Sequence, residues 1–194
     1  MTKILFVEGP RNVGKTYLTQ RSQFQPWYHK LNFSFYHSLL EFQSEAFYNS
    51  EKVSEVLSLA FSFGKDLQLL QLLKGDRIRA PLIVDRSWLS SIVYARFFER
   101  CSDSYLDKYI THVHKLLYEM EGRWHVLLVK GVNPQLRETK DQFSKHEDYD
   151  KESYLFDRYK GFTIADKDCT VFENQFDELS VKRFNQTLVE LVAQ

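Results

Sequence analysis

The residues whose types and spacing predict the most specific chemistry lie at 9–16, in the segment GPRNVGKT. This segment fits G-x-x-x-x-G-K-[ST], the pattern of a loop whose backbone N–H groups surround the phosphates of a nucleotide. In such a loop Gly14 lets the backbone come close, Lys15 neutralises the β- and γ-phosphates, and the Thr16 hydroxyl binds Mg²⁺. The sequence therefore predicts an ATP and Mg²⁺ site formed by Gly9, Pro10, Arg11, Asn12, Val13, Gly14, Lys15 and Thr16.

The sequence on either side of the segment has the order that a phosphate-binding loop requires. The apolar stretch KILFVE, at 3–8, is typical of a strand, and KTYLTQRS, at 15–22, is typical of a helix. A strand leading into the loop and a helix leaving it are the context that supports the motif. A glycine-rich turn that binds nothing is the alternative.

A second candidate set lies in PLIVDRSWLSSIVYA, at 81–95. An apolar strand ends in Asp85, and Arg86 follows at once. In phosphate-loop proteins a carboxylate at the end of a neighbouring strand orders the Mg²⁺, and an arginine can grip an anion through two N–H donors. We therefore expect Asp85 to hold the metal with Thr16, and Arg86 to act in catalysis with Lys15. An ordinary ion pair at a strand end is the alternative.

A highly charged segment lies between the predicted fourth and fifth strands. From Lys130 to Lys160 it carries seven charges of each sign. Two solvated helices would have this composition, and so would a lid that brings cations over a phosphate. With a phosphate loop at the start of the chain, we favour a lid at 133–160. Its candidate cations are Arg137, which we assign to catalysis, and Lys140, Lys145 and Arg158.

The elements that must position these residues alternate between strands and helices. Apolar or β-branched runs predict strands at 4–7, 31–36, 81–85, 125–130 and 169–173. Apolar residues three and four positions apart predict helices at 51–74, 103–121 and 178–192. Such alternation predicts an α/β protein with a mostly parallel sheet, in a single domain spanning 1–194.

Composition narrows the classes of partner. Lys plus Arg and Asp plus Glu both number 26, so the net charge is zero, which argues against a protein that coats nucleic acid. No apolar stretch approaches the roughly 20 residues that span a bilayer, and the N-terminus does not resemble a signal peptide. We expect a soluble, cytoplasmic protein without a membrane partner, whose Cys101 and Cys169 are reduced thiols.

FVEGPRNVGKT and DRSWLSSIVYA together resemble the thymidylate kinase and deoxynucleoside kinase branch of the phosphate-loop kinases. In that branch an E-G-x-x-x-x-G-K-T loop follows the first strand, and a later strand ends in Asp-Arg or Glu-Arg before a serine-containing helix. YLFDRY, at 154–159, is similar to the end of the lid, and CTVFENQFDE, at 169–178, is similar to the last strand and the loop that borders adenine. The resemblance implies the three-layer P-loop NTPase fold: a five-stranded parallel sheet in the order 2-3-1-4-5, helices on both faces, and a helical lid.

The chain departs from that family at positions that concern the acceptor. Arg11 stands where thymidylate kinases usually carry an acidic residue. After the second predicted strand, where deoxynucleoside kinases usually place a carboxylate, this chain has His37, with Glu41 four residues later. Glu8, Glu41 and Asp85 all remain candidates for a general base, which must reach the attacking hydroxyl. The segment 37–80 is expected to bind the acceptor.

These features lead to three functional hypotheses. The first is an ATP-dependent kinase that phosphorylates a deoxynucleoside or a deoxynucleoside monophosphate. The second is a kinase acting on a hydroxyl in DNA, either a 5′ end or 5-hydroxymethyluracil, as in the thymidylate-kinase-like DNA kinases of some bacteriophages; the host cytoplasm would then be its location. The third is an ATPase or switch that transfers phosphate to water alone. The sequence leaves the oligomeric state open, and a homodimer is compatible with it.

Overall fold

A computed structural model describes residues 3–10, 13–24, 51–75, 81–97, 99, 101–132, 156–158 and 168–193 of the 194-residue chain, with side chains described from residue 62 onward in the segment 51–75. Within these residues the chain forms four strands, which all run parallel in one sheet. They are β1 (Ile4–Glu8), β2 (Leu82–Asp85), β3 (Trp124–Gly131) and β4 (Cys169–Asn174).

The order of the described strands across the sheet is β2-β1-β3-β4. In the register of β1 and β2, Val7 lies beside Asp85, and in that of β1 and β3, Glu8 lies beside Leu128. The carboxyl ends of these parallel strands therefore meet at one edge of the sheet. Ligand-binding crevices of open α/β sheets lie at that edge.

The helices of the described residues connect these strands. They are α1 (Lys15–Gln20), α2 (Glu51–Lys74), α3 (Trp88–Phe97), α4 (Asp103–Tyr118) and α5 (Glu178–Ala193). The Ser102 side chain caps α4 by accepting a hydrogen bond of 3.4 Å from the Tyr105 backbone N–H, which satisfies a donor that the first turn leaves open.

Two apolar cores cover the two faces of the sheet, because successive residues of a strand point to opposite sides. On one face Ile4 and Phe6 of β1 pack with residues of α2, α3 and α4, including Trp88. On the other face Leu5 and Val7 pack with residues of α1 and α5, including Leu18 and Phe184. Burial on both faces accounts for the nearly continuous apolar strands of the sequence.

The structure confirms the predicted α/β class and parallel sheet, and its four strands correspond to the first, third, fourth and fifth predicted strands. Their observed order agrees with the corresponding part of the expected order, 3-1-4-5. The predicted strand at 31–36 lies outside the described residues, as does most of the predicted lid at 133–160.

One predicted boundary is wrong by three residues. The helix predicted at 103–121 ends at Tyr118. Two tight turns follow, in which Met120 N–H donates to Leu117 O at 3.0 Å and Arg123 N–H donates to Met120 O at 3.0 Å. Gly122 adopts a positive φ of 77°, which glycine tolerates and which directs the chain into β3.

Two further findings concern the state of the cysteines and the search for membrane-spanning helices. Cys101 and Cys169 are free thiols and both are half-buried. No helix among the described residues combines the length and the apolar character needed to cross a bilayer.

Candidate functional site

The loop that follows β1 requires glycine at two positions. Gly9 has a φ of 136° and Gly14 a φ of 82°, both in the region that residues with a side chain rarely adopt. A Cβ atom on Gly9 would collide with the backbone carbonyl of Val129, and one on Gly14 would collide with Nδ2 of Asn174. The two glycines of the motif are therefore required both by backbone conformation and by close packing.

Lys15 is the first residue of α1, and its side chain folds back into the loop. Its residue is only 4% exposed. The ammonium donates to the carbonyl oxygens of Gly9, at 2.9 Å, and Pro10. A buried charge must be paired or hydrogen-bonded, and these carbonyls supply acceptors for it. The loop thus encloses a fixed positive charge between its two ends.

Thr16 and Asp85 meet at the carboxyl end of the sheet. The Thr16 hydroxyl donates to Oδ2 of Asp85 at 2.8 Å, although the two residues are 69 positions apart. Thr16 is exposed and Asp85 is buried at the end of β2. Hydroxyl and carboxylate oxygens are the ligands that Mg²⁺ prefers. The donor set predicted for the metal is therefore assembled, and it fits this ion.

Arg86 follows Asp85 in an unusual backbone conformation. Its φ is 60°, and its backbone N–H donates to the Val7 carbonyl at 3.1 Å. The guanidinium lies over the ring of Tyr94, with Cζ 5.6 Å from the ring centroid. Positive φ is costly for a residue with a side chain, and such residues cluster at functional sites. Arg86 therefore places a half-buried cation directly after β2, at the carboxyl end of that strand.

Glu8, the last residue of β1, is fully buried and accepts three hydrogen bonds. Its Oε1 accepts from Ser87 N–H at 2.7 Å and from Ser87 Oγ–H at 2.9 Å, and its Oε2 accepts from Ser90 Oγ–H at 2.5 Å. Burial raises the pKa of Glu8, while the bonds from Ser90 and Ser87 and the charge of Arg86 oppose that rise. Glu8 therefore ties the end of β1 to the start of α3.

Asn174, which the sequence analysis missed, supports the loop from β4. Its Nδ2 donates to the Val13 carbonyl at 2.9 Å, and its Oδ1 accepts from Phe176 N–H at 3.0 Å. Phe176 has a positive φ of 62° and lies 3.5 Å from where a Cβ on Gly14 would stand. A polar residue at the carboxyl end of a parallel strand was the available signal, the same signal that identified Asp85.

A second buried carboxylate, Asp66 on α2, was also missed. It accepts hydrogen bonds from the hydroxyls of Ser91 and Tyr109, the latter at 3.2 Å, and Lys65 Nζ lies 3.6 Å from its other oxygen. Burial raises the pKa of Asp66, and the Lys65 charge and the two hydroxyl donors oppose that rise. Nothing in the helical pattern of 51–74 indicates that this charge faces the core.

The structure brings together one group of the predicted site residues at the carboxyl edge of the sheet. These are Gly9, Pro10, Val13, Gly14, Lys15, Thr16, Asp85 and Arg86. Arg158 is described and exposed, and neighbouring Phe156 packs into the core that contains Trp88. The remaining candidates lie outside the described residues: Arg11, Asn12, His37, Glu41, Arg137, Lys140 and Lys145.

Comparison with protein-family models and with curated proteins found no match to this chain.

Proposed function

We propose that this protein is a phosphate-loop phosphotransferase that moves the γ-phosphoryl group of ATP to an acceptor. The observation that carries this proposal is the 2.8 Å hydrogen bond between Thr16 and Asp85, beside a loop whose glycines have no room for a Cβ atom. A glycine-rich turn with no ligand would not need a hydroxyl and a strand-end carboxylate at the same point. In phosphate-loop enzymes these two groups hold Mg²⁺.

Thr16 and Asp85 would hold the metal through oxygen atoms. When bound there, Mg²⁺ would supply charge neutralisation to the β- and γ-phosphate oxygens. Asp85 is already engaged by the Thr16 hydroxyl, so its first role would be to orient the metal site.

Lys15 and Arg86 would supply the positive charge that belongs to the chain itself. The Lys15 ammonium would turn from the carbonyls of Gly9 and Pro10 toward phosphate oxygens, which are stronger acceptors because they are charged. The Arg86 guanidinium would bind oxygens of the acceptor or of the transferred group.

In the reaction the bond from the γ-phosphorus to the bridging oxygen of ADP breaks and a bond to the acceptor oxygen forms. A hydroxyl acceptor passes its proton to a general base, for which Glu8, Glu41 and Asp85 are the candidates from the sequence, whereas an ionised phosphate acceptor has no proton to lose.

We propose a deoxynucleoside or deoxynucleoside monophosphate as the acceptor, bound by the segment 37–80. The zero net charge of the chain favours a small acceptor over a polyanion. Phe63 stacks on Tyr109 with ring centroids 3.7 Å apart, and both rings are buried, so neither is a surface for a base. The family fold that we propose adds the strand at 31–36 beside β2 and a lid at 133–160 that contributes Arg137.

DNA is the second candidate acceptor, through a 5′ hydroxyl or 5-hydroxymethyluracil. Arg11 favours it, because thymidylate kinases usually carry an acidic residue there and a cation suits a polyanion. The zero net charge of the chain opposes it.

The test is a transfer assay with γ-labelled ATP and Mg²⁺, run separately with deoxynucleosides, their monophosphates, duplex DNA with free 5′ hydroxyls, and DNA containing 5-hydroxymethyluracil. We expect label on a free nucleoside or nucleotide. Label on DNA alone would contradict the small-molecule acceptor and support a DNA kinase. Label released only as inorganic phosphate would contradict both kinase hypotheses. Lys15→Met is the control for a contaminating kinase, because it should transfer nothing.

A further inference from the structure

Glu8 joins the two halves of the candidate site. It precedes Gly9 in the chain, and its carboxylate binds Ser87, the residue after Arg86. One side chain therefore connects the start of the phosphate loop with the turn that carries Asp85 and Arg86.

The hydrogen bonds of Glu8 oppose a role as general base. Both of its oxygens accept hydrogen bonds, and the residue has no exposed surface. A general base must come within hydrogen-bond reach of the proton it removes. Glu8 would have to release Ser87 or Ser90 and leave the core to do so.

The same bonds hold the backbone of the Arg86 turn. The N–H of Arg86 donates to Val7 O at 3.1 Å, and the next N–H, that of Ser87, donates to Glu8 Oε1 at 2.7 Å. Arg86 itself has a φ of 60°. A conformation of this kind persists when its surroundings fix it on both sides. Val7 and Glu8 are consecutive residues of β1, so the strand that leads into the loop also fixes the turn.

We infer that Glu8 is a positioning residue of the phosphoryl-transfer site, whose carboxylate holds the Arg86 turn in register with the phosphate loop. The inference rests on the proposed function for its catalytic consequence. A positioning role requires a side chain of this length that can hydrogen-bond to Ser87 and Ser90. A general base instead requires an ionisable carboxylate.

Two substitutions separate these roles. Glu8→Gln keeps the length and an acceptor oxygen for Ser87, and Ser90 can accept from its new N–H₂ group. Glu8→Asp keeps the charge and withdraws the carboxylate by one methylene. We expect Glu8→Gln to retain kcat within about tenfold, whereas loss of a general base typically removes a factor of about 10²–10⁴. Glu8→Asp should lose about 10²-fold in kcat, as expected of a displaced catalytic group.

The KM for ATP should stay near the wild-type value in both variants, because the bonds of Glu8 reach Ser87 and Ser90 and not the loop. The pH profile of kcat/KM should also keep its shape in Glu8→Gln. Ser91→Ala is the matched control: it removes a hydroxyl from the same helix, but one that binds Asp66. Its kcat should equal that of the wild type.

The ranking of the two variants decides the inference. If Glu8→Asp is more active than Glu8→Gln, and Glu8→Gln loses the acidic limb of its pH profile, Glu8 is a base and the inference is wrong. Equal, wild-type kcat in both variants would also overturn it.

A measurement that does not depend on catalysis distinguishes failure of this inference from failure of the proposed function. Wild-type protein that transfers phosphate to no acceptor would contradict the proposed function, and hydrogen exchange of the Ser87 amide would then decide the positioning role. We expect protection of that amide in wild type and Glu8→Gln, and faster exchange in Glu8→Asp. The same exchange rate in all three proteins would overturn the inference.

Discussion

The Thr16 hydroxyl donates a 2.8 Å hydrogen bond to the Asp85 carboxylate, and this contact joins the first turn of α1 to the last residue of β2. Val7 and Asp85 are partners in the parallel register of β1 and β2, so the strands bring the two segments to the same edge. The pair links two elements of the fold, and its oxygen atoms are the proposed ligands of Mg²⁺. Substitutions at the pair should therefore affect metal dependence together.

We expect Thr16→Val and Asp85→Asn each to lower kcat about 10²–10³-fold at a fixed Mg²⁺ concentration, as loss of one electrostatic contact commonly does. Because the proposed function has both residues act through one ion, the double variant should lose much less than the product of the two effects. Steady-state rates across a Mg²⁺ titration measure this. Thr19→Val is the control: the Thr19 hydroxyl donates to the Thr16 backbone carbonyl in the same helix. Additive losses would show that the two residues serve separate functions.

Lys15→Met should abolish transfer and weaken ATP binding, because it replaces the enclosed ammonium with an apolar side chain of similar length. Isothermal titration with a non-hydrolysable ATP analogue measures the binding. Lys74→Met is the matched control: Lys74 pairs with Glu119 at 2.6 Å in an exposed position, and such pairs are worth about 0–1 kcal/mol. Unchanged ATP affinity in Lys15→Met would contradict the assignment of the loop.

Gly14→Ala should destabilise the loop and reduce ATP affinity. The left-handed backbone costs an alanine about 1–2 kcal/mol, and the new Cβ meets the Asn174 amide. Gly64→Ala is the opposite case: this helical glycine has nothing within 4 Å of a new Cβ, so we expect about 0.5–1 kcal/mol of added stability. Urea denaturation of both variants gives the comparison. A Gly14→Ala protein with wild-type stability and affinity would show that Asn174 is not fixed against the loop.

Asp66 should make stability depend on pH. Burial raises its folded-state pKa above the ordinary value of 3.8, so the folded state binds the proton more tightly than the unfolded chain does. This stabilisation is complete below the unfolded pKa and is lost as pH rises through the raised value. Asp66→Asn cannot ionise, so its free energy of unfolding relative to wild type should increase as the pH rises above the ordinary carboxyl pKa of 3.8. Urea titrations at several pH values test this.

The comparison with wild type matters for that experiment, because burial also raises the pKa of Glu8, and Glu8 is present in both proteins. Tyr109→Phe supplies a second variant at the same cluster. It removes a donor to the buried carboxylate and should cost about 1–3 kcal/mol. A pH-independent difference between Asp66→Asn and wild type would mean that the Asp66 carboxyl does not titrate differently in the folded chain.

The sequence was sufficient for the four described strands and for the positions of the loop glycines, because both depend on local patterns. Continuous apolar runs identify strands buried on two faces, and the spacing of Gly9, Gly14, Lys15 and Thr16 is fixed by the shape of the loop. Asp85 could be predicted for the same reason, since a charge directly after an apolar strand indicates the edge where ligands bind. The boundary of α4 could not, because it depends on the turns that lead into β3.

Asn174 and Asp66 depend on contacts between distant parts of the chain. Asn174 bonds to Val13, 161 positions away, and Asp66 bonds to Tyr109, 43 positions away. A charged residue in a helical segment normally faces water. The residues around Asp66 in the sequence do not indicate that α3 and α4 place hydroxyl groups beside it. The tertiary structure was therefore needed to identify its burial.

The bond from Asn174 to Val13 also sets an order of events during synthesis of the chain. A ribosome makes the loop at 9–16 early, but the amide that supports it belongs to β4, near the last helix. A nascent chain that has not reached β4 carries the motif without the side chain that holds it. The proposed nucleotide binding should therefore appear only after β4 has been synthesised and has paired with the sheet.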